Sequence, residues 1–569
     1  MKVLGVIFSI ISFQAYSQNH TASIHTADFY PVIITEIMAD PAPCVGLPAV
    51  EYIEIFNRTI NRMNLRDWML IAGKYQKLLP EAWIEPGEYL ILTDQSSDSL
   101  LTSFGKTLAV TGMPPILNSG QTLTLKNTEG TVTHTVTFTD HWYGDSKKAD
   151  GGWSLEIIDP GNPCGGIENW SASTDPAGGT PGKRNSCFAD NPDTQAPILM
   201  RATLPSDSMI LLHFSEPMER NSLMKSETYS ANQGLYHPLA VHPVEPEYST
   251  ALLKYPKAFH SELHYTVSVM STLRDCAGNS LQGNAIAEFA LANQPAAGDV
   301  VFNEIMFSPA AGLSEFIEFF NRSDQVIDMA SFQLSLSDEV SGTIKHTITL
   351  RKHPYILFPG KYVVIAKDTR NLIHDNKNRY VSAFLEIPEL FRLPDDGALL
   401  VLSDTNSRVI DELIYNSTMH DNLLGDTRGV SLERTDATNW HSASTASGYA
   451  TPGYINSQYM DREGDPEISL SSDICSPDND GTDDEIILHL KINEPGWKAS
   501  VAVYDVRGMK VRDLAANCLL GADEYLEWDG KNANNEPADM GIYIIRGQLF
   551  HPHGKIKNFK KVISIVRRL

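Results

Sequence analysis

The chain has 569 residues, of which 42% are hydrophobic and 20% are charged, and its formal net charge is −25 at pH 7. This composition predicts about three to five folded domains with ordinary cores, and the acidic excess argues against nucleic acid as a partner, since that partner requires basic surface. The same charge suits a soluble exported protein and leaves carboxylates available for Ca²⁺.

Residues 1–17 have the pattern of a secretory signal peptide. Lys2 supplies the charged start, residues 3–13 are apolar, and Ala15-Tyr16-Ser17 forms a small-x-small cleavage site. The apolar run is too short to span a bilayer, which takes about 20 residues, and no later stretch has the pattern of a transmembrane helix. We therefore expect cleavage after Ser17 and export without a helical anchor.

Short strands dominate the pattern along the chain, and the helical signal is weak. The predicted strands are rich in Val, Ile, Thr, Tyr and Phe and are bounded by Pro, Gly, Asn and Asp. In the first part of the chain they cover residues 31–38, 51–56, 89–92, 122–125 and 131–138. Many short strands at regular spacing predict an all-β fold of sandwiches or barrels.

The sequence contains one pattern twice, at a nearly constant spacing. In the first copy, Ile34 to Pro41 and Glu51 to Thr59 are followed by Trp153-Ser154-Leu155-Glu156, Asn169-Trp170 and Gly179-Thr180-Pro181-Gly182. In the second copy, Phe302 to Pro309 and Glu315 to Ser323 are followed by Val430-Ser431-Leu432-Glu433, Asn439-Trp440 and Ala450-Thr451-Pro452-Gly453. This predicts one domain used twice, with variation in its loops. Duplicated all-β modules are typical of adhesive and structural proteins.

Both copies resemble the lamin-tail domain, an Ig-like β-sandwich. In the first copy, at residues 28–188, the matching positions include the E-Y-I-E-I-F-N strand, Leu65, Trp68 and Pro86-Gly87-Glu88-Tyr89. In the second, at residues 298–457, they include Asp328, Phe332, Pro359-Gly360-Lys361-Tyr362 and Asp395-Asp396-Gly397. The resemblance implies tandem Ig-like β-sandwich domains and does not by itself imply a partner.

A third unit is expected at residues 190–292, between the copies. Asp193 to Pro197, Phe214-Ser215-Glu216-Pro217-Met218 and Asp275-Cys276-Ala277-Gly278-Asn279 resemble the bacterial Ig-like domains of surface-layer and adhesive proteins. Glu216 and Asp275 either close tight turns, which we favour, or bind a ligand.

The last unit is expected at residues 466–569. Val501 to Gly508, Tyr525 to Gly530 and Met540 to Arg546 resemble the small Ig-like C-terminal domains of gliding-bacterium surface proteins. That resemblance implies a sorting signal for type IX secretion and, as a partner, the secretion machinery. A plain terminal sandwich domain is the alternative.

The best candidate for a metal site is the acidic loop Ser476 to Glu485. Alternating oxygen donors around a Gly are typical of Ca²⁺ loops, although the bidentate Glu of an EF-hand is missing. The predicted ligands are Asp478, Asp480 and Asp483, with Asn479 or Asp484 contributing. The alternative is a solvated acidic turn.

Six cysteines in an exported chain permit disulfides, and their spacing is too wide for a zinc ribbon. The favoured pairs are Cys164 with Cys187 and Cys475 with Cys518, because each pair lies within one predicted domain. The alternative is that some thiols are free and buried.

The repeated acidic pairs, Glu36 with Glu54 and Glu304 with Glu318, are the closest match to catalytic carboxylates. Because they recur together with Arg58 and Arg322, a structural ion pair or a backbone-capping role is the simpler interpretation. Motifs for nucleophilic hydrolases, zinc proteases, phosphate loops and dinucleotide binding are missing. His551-Pro552-His553 is expected in a surface loop, and Trp170 and Trp440 are expected in cores, with carbohydrate stacking as the alternative.

The sequence therefore predicts a non-enzymatic protein that is secreted or held at the outer cell surface, where it has a structural or adhesive role. Its expected partner is an unidentified extracellular protein or carbohydrate, and Ca²⁺ is the one expected cofactor. A polysaccharide-binding accessory module of an extracellular hydrolase system is the second hypothesis. A hydrolase with an unrecognised site is the third.

Overall fold

The computed structural model describes residues 30–566 except 284, 340, 376–380, 422–423, 437–438, 461–464 and 479–482. The predicted signal peptide lies outside these described residues. The chain divides into two compact units: one contains residues up to 201, 208–258 and 265–288, and the other contains 202–207, 259–264 and 289–569. Among the described residues, none of the helices combines the length and the apolar character that crossing a membrane requires.

The first repeat is built from twelve short strands. They are Val32–Met38 (β1), Tyr52–Asn57 (β2), Met63–Asn64 (β3), Met69–Ala72 (β4), Tyr75–Leu78 (β5), Trp83–Ile84 (β6), Tyr89–Asp94 (β7), Thr107–Val110 (β8), Gly120–Lys126 (β9), Val132–Thr139 (β10), Leu155–Ile157 (β11) and Trp170–Ala172 (β12). One sheet has the order β12-β11-β1-β2-β7-β8, a second has the order β10-β9-β4-β5, and β3 pairs with β6.

The central strands of the first repeat are covered on both faces. Every residue of β1 and β2 is buried, which explains why both are continuously apolar apart from a few polar positions. A bulge in β1 between Ile34 and Glu36 frees the backbone N–H of Ile34, which donates to His134 Nδ1 of β10 at 3.1 Å. The two sheets are therefore joined by a buried hydrogen bond at the bulge as well as by apolar packing.

Between the repeats the chain forms seven further strands. They are Leu199–Ser206 (β13), Met209–Phe214 (β14), Tyr229–Ala231 (β15), Ala240–Pro243 (β16), Thr250–Lys254 (β17), Tyr265–Val269 (β18) and Ala285–Phe289 (β19). Strand β17 lies between β14 and β16 in one sheet, and β18 lies between β15 and β19 in another.

The second repeat has the same architecture as the first. Its strands are Val300–Met306 (β20), Phe316–Asn321 (β21), Ile327–Asp328 (β22), Phe332–Ser337 (β23), Ile344–Thr349 (β24), Ile356–Leu357 (β25), Tyr362–Ala366 (β26), Phe384–Glu386 (β27), Ala398–Asp404 (β28), Val409–Tyr415 (β29), Leu432–Arg434 (β30) and Trp440–Ser442 (β31). The sheets have the orders β27-β26-β21-β20-β30-β31 and β24-β23-β28-β29, and β22 pairs with β25. One apolar core joins the two larger sheets, with Phe302 and Phe319 from one and Leu334 and Leu402 from the other.

The C-terminal part of the second unit is also a pair of sheets. Its strands are Glu467–Leu470 (β32), Ile474–Cys475 (β33), Ile486–Lys491 (β34), Lys498–Asp505 (β35), Lys510–Leu519 (β36), Asp523–Trp528 (β37), Gly541–Phe550 (β38) and Ile556–Ile565 (β39). Their orders are β32-β34-β37 and β33-β39-β38-β35-β36. Residues from both sheets, including Leu488, Trp528, Val503 and Ile545, form one buried cluster. Each such side chain contributes about 1.5–3 kcal/mol when it leaves water.

Within the described ranges, helices are few and short. The α-helices are Asp98–Leu101 (α1), Ser146–Ala149 (α2), Arg220–Leu223 (α3) and Arg370–Asp375 (α4), and the 3₁₀ turns are Asp140–Tyr143, Gly166–Asn169, Ser226–Thr228, Met329–Ser331, Leu350–Lys352, Val381–Ala383 and Ser417–Met419. The all-β prediction is confirmed, and each of the five strands predicted in the first repeat is present within a few residues of its expected bounds.

Candidate functional sites

The repeated glutamates lie in a row across neighbouring strands. In the first repeat the cross-strand pairing sets Glu36 of β1 opposite Glu54 of β2 on one side and Glu156 of β11 on the other. In the second repeat Glu304 is opposite Glu318 and Glu433 in the same way. All six residues are 0% exposed. We call each set a carboxylate triad; the sequence identified two members of each, because the third belongs to a strand more than 100 residues away.

The triad of the first repeat binds the segment that follows β12, which we call the closing segment (residues 179–187). The backbone N–H of Thr180 donates to Glu36 Oε1 at 2.8 Å, and its hydroxyl donates to Glu156 Oε1 at 2.9 Å. The N–H of Gly182 donates to Glu54 Oε2 at 2.6 Å. The Thr-Pro-Gly motif is therefore repeated because its backbone and its one hydroxyl donate to three buried carboxylates.

The second repeat reproduces these three contacts with its own closing segment (residues 450–458). The N–H of Thr451 donates to Glu304 Oε1 at 2.8 Å, and its hydroxyl donates to Glu433 Oε1 at 2.7 Å. The N–H of Gly453 donates to Glu318 Oε2 at 2.5 Å. Two copies that differ in many loop residues thus keep the same hydrogen bonds at the same atoms.

Burial makes four of the triad glutamates weaker acids than exposed glutamates. Burial, followed by the charge of Glu156, raises the pKa of Glu36 to about 7. Burial and the charge of Glu433 raise the pKa of Glu304 to about 8, and the pKa values of Glu54 and Glu318 also lie well above the ordinary value. Glu36, Glu54, Glu304 and Glu318 therefore hold their protons to a higher pH than exposed glutamates do.

The two arginines that recur with the triads cap the backbone and leave the glutamates without an ion pair. Arg58 donates to the carbonyl oxygen of Tyr30 at 3.4 Å, and Arg322 donates to that of Gly298 at 2.6 Å. Of the two structural roles expected from the sequence, backbone capping is the one found. The triads have no solvent-exposed surface, and each one binds its own closing segment, so each acts as a clamp on that segment.

A different carboxylate cluster lies between the repeats. Asp193, Glu216 and Asp275 each place a carboxylate oxygen within 4.8 Å of the others. Asp275 also closes the turn to Asn279 as expected, since its two oxygens accept from the backbone N–H at 2.8 Å and from the side-chain amide at 2.9 Å. Burial, and then the charges of Asp193 and Asp275, raises the pKa of Glu216 to about 8. Three hard oxygen donors at this spacing either share a proton or accept a cation.

The sequence analysis weighed Glu216 and Asp275 one at a time and missed this cluster. The signal that could have found it is the combination of D-T-Q-A-P, F-S-E-P-M and D-C-A-G-N, three acidic motifs in one predicted domain. Their separation along the chain, from 193 to 275, conceals the proximity that the fold creates.

The predicted Ca²⁺ loop lies only partly within the described residues. Asn479 and Asp480 lie outside the described residues, whereas Asp478, Asp483 and Asp484 are described. The backbone N–H of Ser476 donates to the carbonyl oxygen of Asp483 at 2.7 Å, which brings the two ends of the loop together. The full ligand set at this loop stays a prediction.

The disulfide in the structure joins Cys164 to Cys276, with Cα atoms 6.4 Å apart, and this bond replaces the predicted pairing of Cys164 with Cys187. Cys187 instead lies against β11, with its Sγ 3.7 Å from the carbonyl oxygen of Ile157. Cys44, Cys475 and Cys518 are not in a disulfide within the part of the chain that the structure describes, so the second predicted pair is not formed either. The prediction assumed that each bond stays within one domain, and the fold instead brings together loops 112 residues apart.

Two further expectations concern aromatic and histidine residues. Trp170 is buried at 4% exposure, as expected of a core residue, and Trp440 is half-buried beside Arg434. The expectation of a surface loop at residues 551–553 is wrong for His551, which is 5% exposed because its ring packs on Trp497.

Comparison with protein families agrees with the resemblance expected from the sequence motifs. The Lamin Tail Domain model matches residues 25–140 and 293–417. Both repeats therefore match the lamin tail domain. The matched residues end before β11 and β30, so the third triad glutamate and the closing segment of each lamin-tail repeat come after the match. No protein of curated function matches the chain.

Three solved structures illustrate what the chain is similar to. The N-terminal part of the bacterial S-layer protein SbsC is 12% identical over 39% of this chain, with a TM-score of 0.18, and this chain spans only 44% of its length. CopC from Methylosinus trichosporium OB3b is 14% identical over 18% of this chain and 96% of its own, with a TM-score of 0.14. A Ca²⁺-stabilised ice-binding adhesin of an Antarctic bacterium is 8% identical over 94% of this chain and 99% of its own, with a TM-score of 0.12. These TM-scores are too low to transfer a function.

Proposed function

We propose that this protein is a non-enzymatic structural or adhesion protein that is secreted or displayed at the outer surface of a bacterial cell. The observation that carries the proposal is the pair of carboxylate triads. The residues that could have formed an active site in either repeat are instead fully buried and bound to the closing segments. Each lamin-tail repeat is thus a rigid module that presents its edges and loops.

The disulfide between Cys164 and Cys276 supports an extracytoplasmic location, because such bonds persist in oxidising compartments. Cell fractionation followed by intact-mass analysis tests both location and sorting. We expect the protein on the surface or in the medium, starting at Gln18 and lacking the residues after about 466 if the C-terminal unit is a cleaved sorting domain. Periplasmic protein that is full length to Leu569 would contradict display and sorting.

Ca²⁺ bound at the loop Ser476 to Glu485 is part of this proposal. The variant Asp480→Asn with Asp483→Asn should abolish any rise in melting temperature that Ca²⁺ causes and EGTA reverses. The control is Asp275→Asn, which alters the carboxylate cluster between the repeats. If the Ca²⁺ effect persists in the double variant and disappears in the control, the ion binds at Asp193, Glu216 and Asp275 instead.

A second candidate function, polysaccharide binding, is favoured by two exposed aromatic residues of the first repeat. Trp83 is 41% exposed with the Arg62 guanidinium 4.5 Å from its ring centroid, and Tyr75 is 48% exposed with Lys74 Nζ at 5.3 Å. Aromatic rings beside cations suit an acidic sugar polymer.

Co-sedimentation with polygalacturonate, and with cellulose as a neutral comparison, tests this second function. Retention on the acidic polymer should be lost in Trp83→Ala with Tyr75→Ala. It should be kept in Ile344→Ala, which alters the corresponding edge strand β24 of the second repeat. Equal retention by all three proteins would remove the hypothesis.

A further inference from the structure

A cavity of about 530 Å³ lies in the second unit, between the second lamin-tail repeat and the C-terminal sheets. Four histidines line it: His420 and His441 come from the repeat, and His551 and His553 come from the turn after β38. In the first repeat, the positions that correspond to His441 and Ser442 are Ser171 and Ala172. The histidine cavity is therefore a feature of the second repeat.

The buried position of His420 favours the neutral form of its ring. It is 5% exposed, and its Nδ1 lies 3.0 Å from the hydroxyl of Ser442, which also accepts the backbone N–H of Asp421 at 3.1 Å. Its Nε2 is buried and has no hydrogen-bond partner among the described residues. Burial lowers the pKa of His420 to about 4. A proton on this ring would place an unsatisfied charge inside the junction.

His441 faces the two histidines of the C-terminal turn. Its pKa is lowered first by burial and further by the charges of His551 and His553, while Asp421 and Asp436 act in the opposite direction. The ring of His551 is held by two hydrogen bonds, since its Nε2 lies 2.9 Å from the carbonyl oxygen of Pro495 and its Nδ1 accepts the N–H of His553 at 3.2 Å. Charged histidines on both sides of the cavity would repel one another.

A buried cation pairs with one of the residues that line the cavity. Lys498 is 2% exposed, and its Nζ lies 3.5 Å from Asp421 Oδ1. Glu494, the other carboxylate that lines the cavity, is bound by Lys555 at 2.7 Å. Asp421 thus faces both Lys498 and His441, so a protonated histidine competes with Lys498 for the same carboxylate.

A small number of polar contacts join the two sides of this junction. The side-chain amide of Gln458 donates to the carbonyl oxygen of Leu520 at 3.0 Å, and the N–H of Ala522 donates to that of Ser457 at 3.0 Å. The backbone N–H of Thr445 donates to the carbonyl oxygen of Leu519 at 3.1 Å, and the backbone N–H of Leu519 donates to the hydroxyl of Thr445 at 3.1 Å. These contacts are individually modest, each worth about 1 kcal/mol, so buried charge can outweigh them.

We propose that this junction is a pH-operated hinge, closed while His420 and His441 are neutral and opened when they take up protons in mild acid. In the open form His420 and His441 reach water, and Asp421 no longer has to serve both His441 and Lys498. The C-terminal sheets then separate from the closing segment of the second repeat while each part keeps its own core.

The size of the effect follows from His420 alone. If opening returns its pKa from about 4 to the ordinary 6.5, acidification from pH 7.5 to pH 5 favours the open form by about 30-fold. The sign is fixed because the open form binds the proton more tightly, so closure weakens as the pH falls below 6.5. His441 adds to this in the same direction.

Hydrogen exchange on the full-length chain, corrected for the intrinsic pH dependence of exchange, tests the hinge. Amides of residues 519–522 should become about 30-fold less protected at pH 5 than at pH 7.5, whereas amides of β20 and β21 should not. The double variant His420→Gln with His441→Gln should lose most of this response. His346→Gln, whose ring stacks on Phe391 in the same unit, is the matched control and should keep it.

An unchanged junction at pH 5 would overturn the proposal, as would an equal response in wild type and double variant. If the double variant does not fold, the single variant His441→Gln serves instead, because that ring is half-buried in the cavity wall. It should reduce the response without removing it, and a full wild-type response in this variant would contradict the role of the cavity.

Discussion

Replacing Glu36 by Gln should stabilise the first lamin-tail repeat in alkaline solution. Glu36 Oε1 accepts three hydrogen bonds, from Tyr52 at 2.7 Å, Ser154 at 2.6 Å and Thr180 at 2.8 Å, while Oε2 is buried without a hydrogen-bond partner. A glutamine keeps the accepting oxygen and removes the ionisable group. The variant Glu36→Ala removes the acceptor as well and leaves three buried donors unsatisfied, so it should be strongly destabilising.

The magnitude follows from the pKa. The folded protein raises the pKa of Glu36 from 4.5 to about 7. One pKa unit corresponds to about 1.4 kcal/mol, so the free energy of unfolding is lower by at most about 3 kcal/mol once the pH exceeds 7. Because the folded form holds the proton more tightly, stability falls as the pH rises from 4.5 to 7. Glu36→Gln should therefore gain up to about 3 kcal/mol at pH 8.5 and almost nothing at pH 4.5.

Urea-dependent hydrogen exchange, followed by mass spectrometry, measures each repeat separately within the full chain. Peptides from β1 and β2 should report the gain in Glu36→Gln, and peptides from β20 and β21 should not. Glu304→Gln is the matched control, with the same change confined to the second repeat. A loss of stability in Glu36→Gln at pH 8.5 would refute the reasoning, since it would mean that the ionised carboxylate is the form that the fold requires.

Three other predictions concern the first unit. Burial lowers the pKa of His134 to about 4, so the stability of the first repeat should fall as the pH drops from 6.5 to 4, and urea titrations of His134→Gln should show a flatter pH dependence. Thiol titration of the mature, denatured chain should detect four free thiols before reduction and six after it, and replacing both Cys164 and Cys276 by Ser should lower the melting temperature by removing up to about 5 kcal/mol for a loop of 112 residues. Because Glu216 has a pKa of about 8, the unit between the repeats should lose stability as the pH rises from 4.5 to 8, and Glu216→Gln should remove that loss in thermal melts.

Local patterns were sufficient to predict the strands and the duplication. The E-Y-I-E-I-F-N run forms β2 because its residues are apolar or are satisfied by neighbours, and the following Pro86-Gly87 turn is fixed where Gly87, at φ +71°, donates its N–H to the carbonyl oxygen of Asn57. Gly360, at φ +69°, makes the same bond to Asn321 in the second copy. The strand and the turn are each encoded by a few consecutive residues, which is why a pattern can reveal them even though the bond that joins them spans a longer stretch of chain.

The functional interpretation of charged residues could not be predicted in the same way, because it depends on contacts between distant segments. The sequence favoured a structural role for Glu36 and Glu54 over a catalytic one, but it did not show that Glu156 lies in the same row or that the closing segment covers all three. The Cys164–Cys276 bond likewise depends on loops that meet only in the folded chain. In each case a plausible local motif acquired a different role from a partner more than 100 residues away.

The triads also explain how one module can serve in two contexts. The third glutamate of each repeat binds the chain through backbone N–H groups: Glu156 accepts from Cys187, and Glu433 accepts from Gln458. A backbone contact leaves the side chain at that position free to vary. Cys187 therefore packs against its own repeat, whereas Gln458 extends to the carbonyl oxygen of Leu520 in the C-terminal sheets. The clamp holds the backbone in the same way in both repeats. The side chain at the position of Cys187 and Gln458 determines which part of the molecule the closing segment contacts.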